Sequence, residues 1–301
     1  MKKVVVAEIG KSTLVLNAFG DIDTSSPRLL GQVVARSGLK SALTLLEKDI
    51  GALDGEHVEI HIVSSLDQNT LVQEILSHDE LGDLNRFLKT TNTDKEEFGK
   101  KIVATAQAIM NLSRLFLEEV GEVLILDVGG GSTDIYLFRR DHLPRVTQGL
   151  GIYQDAKSIV TQIGEQDINV RYGLNWEELV KPIPKTTEEI ALERELAAYT
   201  LQKAMLDFCR SNLSQAERFD HALDLTQLRW VIGTGGALNY LPGGLEMISE
   251  ALSHCREVGF PEDGFPILLD RDNILASLGA LKDQYRNGVW QLLLESLGVD
   301  S

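Results

Sequence analysis

The chain has 301 residues, 43% of them hydrophobic and 25% charged, with a formal net charge of -16. That length and composition describe a globular protein with one large or two medium domains. So acidic a balance argues against non-specific binding to nucleic acid or an anionic membrane, yet backbone N–H groups and a divalent cation still allow phosphate to be held.

Val4–Ile9 reads as a buried strand, Gly10-Lys11-Ser12 as a turn and Thr13–Phe19 as a second strand. Gly20-Asp21 then turns the chain into a third strand, Leu29–Ala35. Lys40–Leu53 has helical spacing, and Val58–Val63 alternates apolar residues with Glu59 and His61, as a half-buried strand does. Asn69–Ser77 and Asp79–Lys89 read as polar helices and Thr90–Asp94 as a loop. Phe98, Ile102, Ala106 and Ile109 recur at helical spacing, which predicts one long helix over Lys95–Val120.

The pattern then restarts. Val123–Val128 is a strand, Gly129-Gly130-Gly131 a turn, Thr133–Arg140 a second strand and His142–Thr147 a third. Gly149 and Gly151 lead into a helix near Tyr153–Ile163, and Thr186–Asn212 is a long helix with Ala197, Leu201, Ala204, Met205 and Phe208 on one face. Arg229–Gly233 is a strand ended by Gly235-Gly236, Gly244–Cys255 a helix, Pro266–Leu269 a short strand, and the remainder helical. Both halves open as strand, glycine turn, strand, strand, helix, an internal repeat with little sequence identity. No low-complexity linker separates them, so two α/β halves around a shared cleft are expected.

Two cysteines, Cys209 and Cys255, are fewer than a secreted disulfide scaffold carries and are expected to be free thiols. The apolar run after Met1-Lys2-Lys3 is short and interrupted by Glu8, unlike a secretory leader. No stretch of about 18 apolar residues spans a membrane. A cytoplasmic protein is the expectation. His57, His61, His78, His142, His221 and His254 lack metal-ligand spacing. The acidic runs Glu188-Glu189 and Glu193–Glu195 read as solvated helix faces, and Trp176, Trp230 and Trp290 as packing residues.

Three motifs carry chemistry. In Asp127-Val128-Gly129-Gly130-Gly131-Ser132-Thr133-Asp134, a hydrophobic strand delivers Asp127 to its end. Three glycines then let the backbone turn tightly against a ligand. Ser132 and Thr133 add hydroxyl donors, and Asp127 and Asp134 are placed to hold Mg²⁺ through water. Glu8-Ile9-Gly10-Lys11-Ser12-Thr13 has the same layout, with Lys11 available as a point charge for phosphate. On its own it is a plain hairpin; its recurrence at the start of the other half marks it. In Ile232-Gly233-Thr234-Gly235-Gly236-Ala237-Leu238 a strand ends in glycines that admit a flat nucleobase and ribose. Its spacing is not that of the Rossmann fingerprint.

Two phosphate turns and an adenosine turn, in this order over most of the chain, resemble the actin/Hsp70/sugar-kinase superfamily of ATPases. Gly149-Leu150-Gly151 resembles the segment after the second phosphate loop of Hsp70-like members. Ala104–Ala108 and Ala276–Leu281 are similar to its two small-residue crossover helices. The wording Val6-Ala7-Glu8-Ile9-Gly10, Asn17-Ala18-Phe19, Gly31-Gln32, Asp127–Asp134 and Val231–Leu238 resembles the MutL/GlmL proteins that accompany coenzyme-B12-dependent glutamate mutase and related aminomutases. They are unrelated to the mismatch-repair protein of the same name.

The resemblance implies an α/β protein with two ribonuclease-H-like, actin-like ATPase domains around a nucleotide cleft. Domain I would be residues 1–118, completed by a C-terminal helix in 273–301, and domain II residues 119–272. It implies ATP or ADP with Mg²⁺ as ligands, Gly10, Lys11, Ser12, Thr13, Gly129, Gly130, Gly131, Ser132 and Thr133 on phosphate, and Gly233, Thr234, Gly235, Gly236 and Ala237 on adenosine. Glu8, Asp127 and Asp134 would hold the metal, and Glu8 or Asp127 would align the attacking water. The implied function is activation or reactivation of a B12-dependent mutase, its protein partner. A small-molecule kinase or polyphosphatase, and an actin-like scaffold or filament with homo-oligomeric assembly, stay open. The chain departs from the family pattern at Lys11, in its shorter length and at the first crossover, where Thr105 and Gln107 stand without a carboxylate. Hydrolysis is therefore expected to be slow.

Overall fold

Val4–Ala7 are almost completely shielded from solvent and form the middle of β1 (Lys3–Ile9), a strand covered on both faces as its unbroken apolar run requires. The computed structural model describes residues 2–11, 13–36, 39–53, 58–66, 102–140, 142–219, 224–255 and 259–299. The expected helices Asn69–Ser77 and Asp79–Lys89, the loop Thr90–Asp94 and the start of Lys95–Val120 lie outside the described residues. The chain divides into two units: Met1–Leu112 with Ile274–Glu295 and Val299–Ser301, and Ser113–Asn273 with Ser296–Gly298.

In the first unit, β2 (Leu14–Gly20), β3 (Arg28–Ala35), β4 (Val58–Ser64) and β5 (Ile102–Ala104) join β1 in the order β3-β2-β1-β4-β5. The first three strands are antiparallel neighbours, whereas β4 and β5 run parallel to β1. Ala42, Leu43 and Leu46 of α1 (Leu39–Ile50) cover Val5, Ala7, Leu16 and Val33 on one face of this sheet. Helices α2 (Thr105–Asn111) and α9 (Leu275–Leu281) meet backbone to backbone, for a Cβ built on Gly279 would stand 1.9 Å from the Ala108 carbonyl oxygen. The small residues read as crossover helices serve this approach.

The long helix expected over Lys95–Val120 is corrected. Ile102–Ala104 is a strand, with Ile62 opposite Ile102, and helix begins only at Thr105. Ile102 and Val103 are β-branched and fit a pleated edge, while their spacing to Ala106 and Ile109 mimics a helical stripe. The helix also breaks at Leu112, so α2 is followed by a separate α3 (Ser113–Glu119).

The second unit repeats the design. β6 (Glu122–Val128), β7 (Thr133–Phe138), β8 (Arg145–Gly149), β9 (Leu228–Thr234) and β10 (Ile267–Leu269) lie in the order β10-β9-β6-β7-β8. Again the first three strands pair antiparallel and the last two run parallel. Two mixed sheets of the same ribonuclease-H-like order and polarity therefore carry the repeat seen in the motifs. α4 (Ala156–Ile163), α5 (Glu165–Tyr172), α6 (Thr187–Phe219), α7 (Gly236–Tyr240) and α8 (Gly244–Ser253) complete this unit, with a 3₁₀ turn at Trp176–Leu179. Leu196, Leu201, Met205 and Phe208 of α6 belong to one core with Leu124, Leu126, Ile135 and Leu137 of the sheet. Among the described residues no helix is long and apolar enough to cross a membrane.

The cysteines are not free thiols. Cys209 on α6 and Cys255 just past α8 form a disulfide, their Cα atoms 6.3 Å apart. The packing of α8 on α6 brings together residues separated by 46 positions, which two cysteines in a sequence cannot announce.

Glu193, on α6, is partly buried, and burial, reinforced by the charge of Glu189, pushes its carboxyl up to about 7 from an ordinary 4.5. The folded chain thus holds this proton more tightly than the unfolded chain does. The associated stability is complete below about pH 4.5 and is lost as pH rises through 7. Glu193→Gln should flatten the decline of the melting temperature across that window; a slope equal to that of the parent protein would assign the decline to another group.

Candidate functional site

The two glycine turns have one geometry. Strand pairing ends at Ile9 opposite Leu14 in the first unit and at Val128 opposite Thr133 in the second. Each hairpin is closed by the same bond: Gly10 N–H donates to the Thr13 carbonyl at 2.8 Å, and Gly129 N–H to the Ser132 carbonyl at 2.9 Å. Glu8 and Asp127 occupy equivalent places two residues before the turn. Lys11 is exposed and Thr13 half-buried, while Ser12 lies outside the described residues.

The segment after β8 shapes the second turn. The Gly129 carbonyl accepts from Ile152 N–H at 3.2 Å, and the Gly130 carbonyl from Tyr153 and Gln154 N–H at 3.0 and 2.9 Å. Gly151 lies so close that a Cβ there would stand 2.3 Å from the Gly131 carbonyl carbon, and its own N–H is held by the Asp155 carboxylate at 2.8 Å. The carbonyl side of the turn is therefore occupied by protein. The amides of Gly130 and Gly131 have no acceptor among the described residues. Successive unengaged N–H groups in a tight turn form a concavity suited to an anion such as phosphate.

Around this turn, Asp127 is half-buried and Asp134, its partner in strand register, is 6% exposed. Ser132 Oγ donates to Asp134 Oδ2 at 3.0 Å, and Thr133 is fully buried. Tyr136 was not anticipated from the sequence. Burial, then the charges of Asp127 and Asp134, push its phenol well above the ordinary range, so it stays neutral beside the carboxylates.

The second unit also brings the third motif to the second turn. β9 runs parallel to β6 with Thr234 opposite Asp127. Gly235 adopts φ 88°, and a Cβ there would stand 2.5 Å from Asp127 Oδ1 and 2.6 Å from the Val128 carbonyl. Only glycine fits this place. Gly233, Thr234 and Ala237 are buried, and Gly236 is half-buried.

The first turn is supported differently. Glu8 Oε1 accepts from Ser277 N–H at 2.9 Å, from the Ser277 hydroxyl, and from Asn17 Nδ2 at 3.3 Å. Asn17 Oδ1 accepts in turn from Gln32 Nε2 at 2.7 Å. One polar chain thus crosses β1, β2 and β3 and fastens α9 to them. Asn17, Gln32 and Ser277 were absent from the sequence-based set, although polar residues inside apolar strands are the signal that exposes the first two. In α2, Gln107 Nε2 donates to Asn111 Oδ1 at 2.8 Å.

Among the described residues no group of three or more His, Cys, Asp or Glu side chains is placed to ligate a metal.

A family model described as "MutL protein" matches residues 88–297. Its match begins after the first glycine turn and takes in the other two. No curated protein matches the sequence. Among solved structures, the ethanolamine utilization protein EutJ from Carboxydothermus hydrogenoformans is 14% identical, with 93% of this chain and 90% of that chain covered and a TM-score of 0.46. The activator of 2-hydroxyisocaproyl-CoA dehydratase from Clostridium difficile, with bound ADPNP, is 11% identical, with 96% of each chain covered and a TM-score of 0.46. A ROK family glucokinase from Streptomyces griseus, in complex with glucose and AMPPNP, is 13% identical, with 92% of this chain and 97% of that chain covered and a TM-score of 0.47.

Proposed function

The chain belongs to the MutL protein family, and from that premise we propose that it is an ATP-binding, slowly hydrolysing activator or reactivating chaperone of a coenzyme-B12-dependent mutase. The observation that carries the nucleotide reading is the second turn. The Gly129 and Gly130 carbonyls accept from residues 152–154, the Gly130 and Gly131 amides have no acceptor among the described residues, and Gly235 is pressed against Asp127.

Phosphate oxygens would accept from those amides, and adenosine would lie on the Gly233–Ala237 turn. Gly10, Lys11, Ser12 and Thr13 form the second phosphate-binding turn of this reading. Mg²⁺ would neutralise phosphate charge, held through water by Asp127 and Asp134, with Glu8 as the third carboxylate. Asp127 or Glu8 would accept a hydrogen bond from the attacking water and so orient it. Phosphoryl transfer of this kind depends mainly on positioning and charge neutralisation. The B12-dependent mutase is assigned as partner from the family resemblance.

Isothermal calorimetry with Mg²⁺ and ATP, with phosphate release followed in parallel, tests both parts. The expected result is saturable ATP binding with slow release that quickens when a B12-dependent aminomutase is added. Absence of binding sinks the nucleotide reading. Binding with release indifferent to any such mutase sinks the partner assignment alone.

A further inference from the structure

The Thr234–Ala237 turn has little of its own to hold it in one shape. Two successive glycines have wide conformational freedom. Gly235 sits at φ 88° as the N-cap of α7, a five-residue helix with no side-chain cap. The support comes instead from the four residues after β10. Asn273 Oδ1 accepts from Gly235 N–H at 3.1 Å and from Asn239 Nδ2 at 3.3 Å, touching both the start of the turn and the helix that leaves it.

Asn273 is itself fixed. It takes φ 51°, a left-handed conformation that asparagine tolerates better than most residues, and its N–H donates to the Asp270 carbonyl at 2.8 Å. Asp270 is fully buried. Its carboxylate accepts from Thr234 Oγ1 at 2.7 Å and from Ser296 Oγ at 2.6 Å, and its N–H donates to the Gly233 carbonyl at 2.9 Å. A carboxylate costs free energy to bury unless hydrogen-bonded, so these contacts hold one another in place. Ser296 also accepts from Asp272 N–H at 3.1 Å, which closes the turn on itself.

We infer that Asp270–Asn273 is the brace of the third glycine turn and that Asn273 is a positioning residue for the nucleoside half of the nucleotide. This rests on the ATP reading above. Asn273 acts through Gly235 and Asn239, and among the described residues it makes no hydrogen bond to the amides of Gly130 and Gly131.

The test uses the full chain and two probes, Mg·ATP and Mg·tripolyphosphate, the second having phosphates but no nucleoside. Asn273→Gly keeps the left-handed backbone available and removes only the acceptor. It should weaken ATP about tenfold, the worth of one hydrogen bond, and leave tripolyphosphate unchanged. Asn273→Asp, which keeps an acceptor oxygen at the same place, should recover most of the ATP affinity. Unchanged ATP affinity in Asn273→Gly, or equal loss for both probes, overturns the inference. Should Asn273→Gly fail to fold, Ser296→Ala decides: it should lower ATP affinity about threefold with tripolyphosphate unaffected, and equal effects on both probes overturn the brace. If the parent protein binds no ATP, the proposed function fails first, and the two failures are thereby distinguished.

Discussion

Alanine at Asp127 is expected to weaken Mg²⁺-dependent ATP binding about 100-fold while the second unit stays folded. Asp127 is the penultimate residue of β6, is half-buried, and its Oδ1 lies 2.5 Å from where a Cβ on Gly235 would stand. A carboxylate that orients metal-bound water is commonly worth 10- to 100-fold in metal affinity, and here the metal would also bind the nucleotide, so a loss of about 100-fold is expected. The strand should survive, because its buried apolar residues Leu124, Leu126 and Val128 are untouched. Calorimetry with and without Mg²⁺ reads the effect. If the variant keeps both its affinity and its dependence on Mg²⁺, the second turn is not the metal-assisted phosphate site.

Replacing Gly279 by alanine should markedly destabilise the first unit. In a helix interior this change would ordinarily stabilise by about 1 kcal/mol through propensity. At Gly279 the added Cβ would stand 1.9 Å from the Ala108 carbonyl oxygen and 2.5 Å from its carbon, atoms of a backbone that has no rotamer to yield. Overpacking of a close-packed contact costs up to about 3 kcal/mol, which lowers the melting temperature of a unit this size by roughly 10 °C. Gly173→Ala is the control, for it has φ 87° and nothing within 4 Å of its Cβ position, so only backbone strain of about 1 kcal/mol applies. A Gly279→Ala melting temperature equal to that of the parent would mean that α2 and α9 do not meet at their backbones.

The pH response of Glu193 and the nucleoside-selective loss in Asn273→Gly are smaller effects in the second unit.

Both hairpins were legible in the amino-acid order. An apolar strand, an acidic residue near its end, glycine and then a second apolar strand are all encoded within one short hairpin, Lys3–Gly20 or Glu122–Phe138. The repeat of that arrangement at Glu8 and Asp127 was visible for the same reason. Strand against helix was misread at Ile102–Ala104, where β-branched residues happen to share a helical spacing and only their parallel pairing with Ile62–Ser64 makes them a strand. The supports of the site were hidden more deeply. Ser277 reaches Glu8 across 269 positions, Asp270 reaches Thr234 across 36, and Cys209 reaches Cys255 across 46. Local propensity and periodicity act over one turn or one hairpin, so order alone decided the glycine turns and the strands that carry them. Which side chains brace those turns depends on contacts between elements far apart in the chain, and these exist only once the sheets have paired and the helices have packed on them.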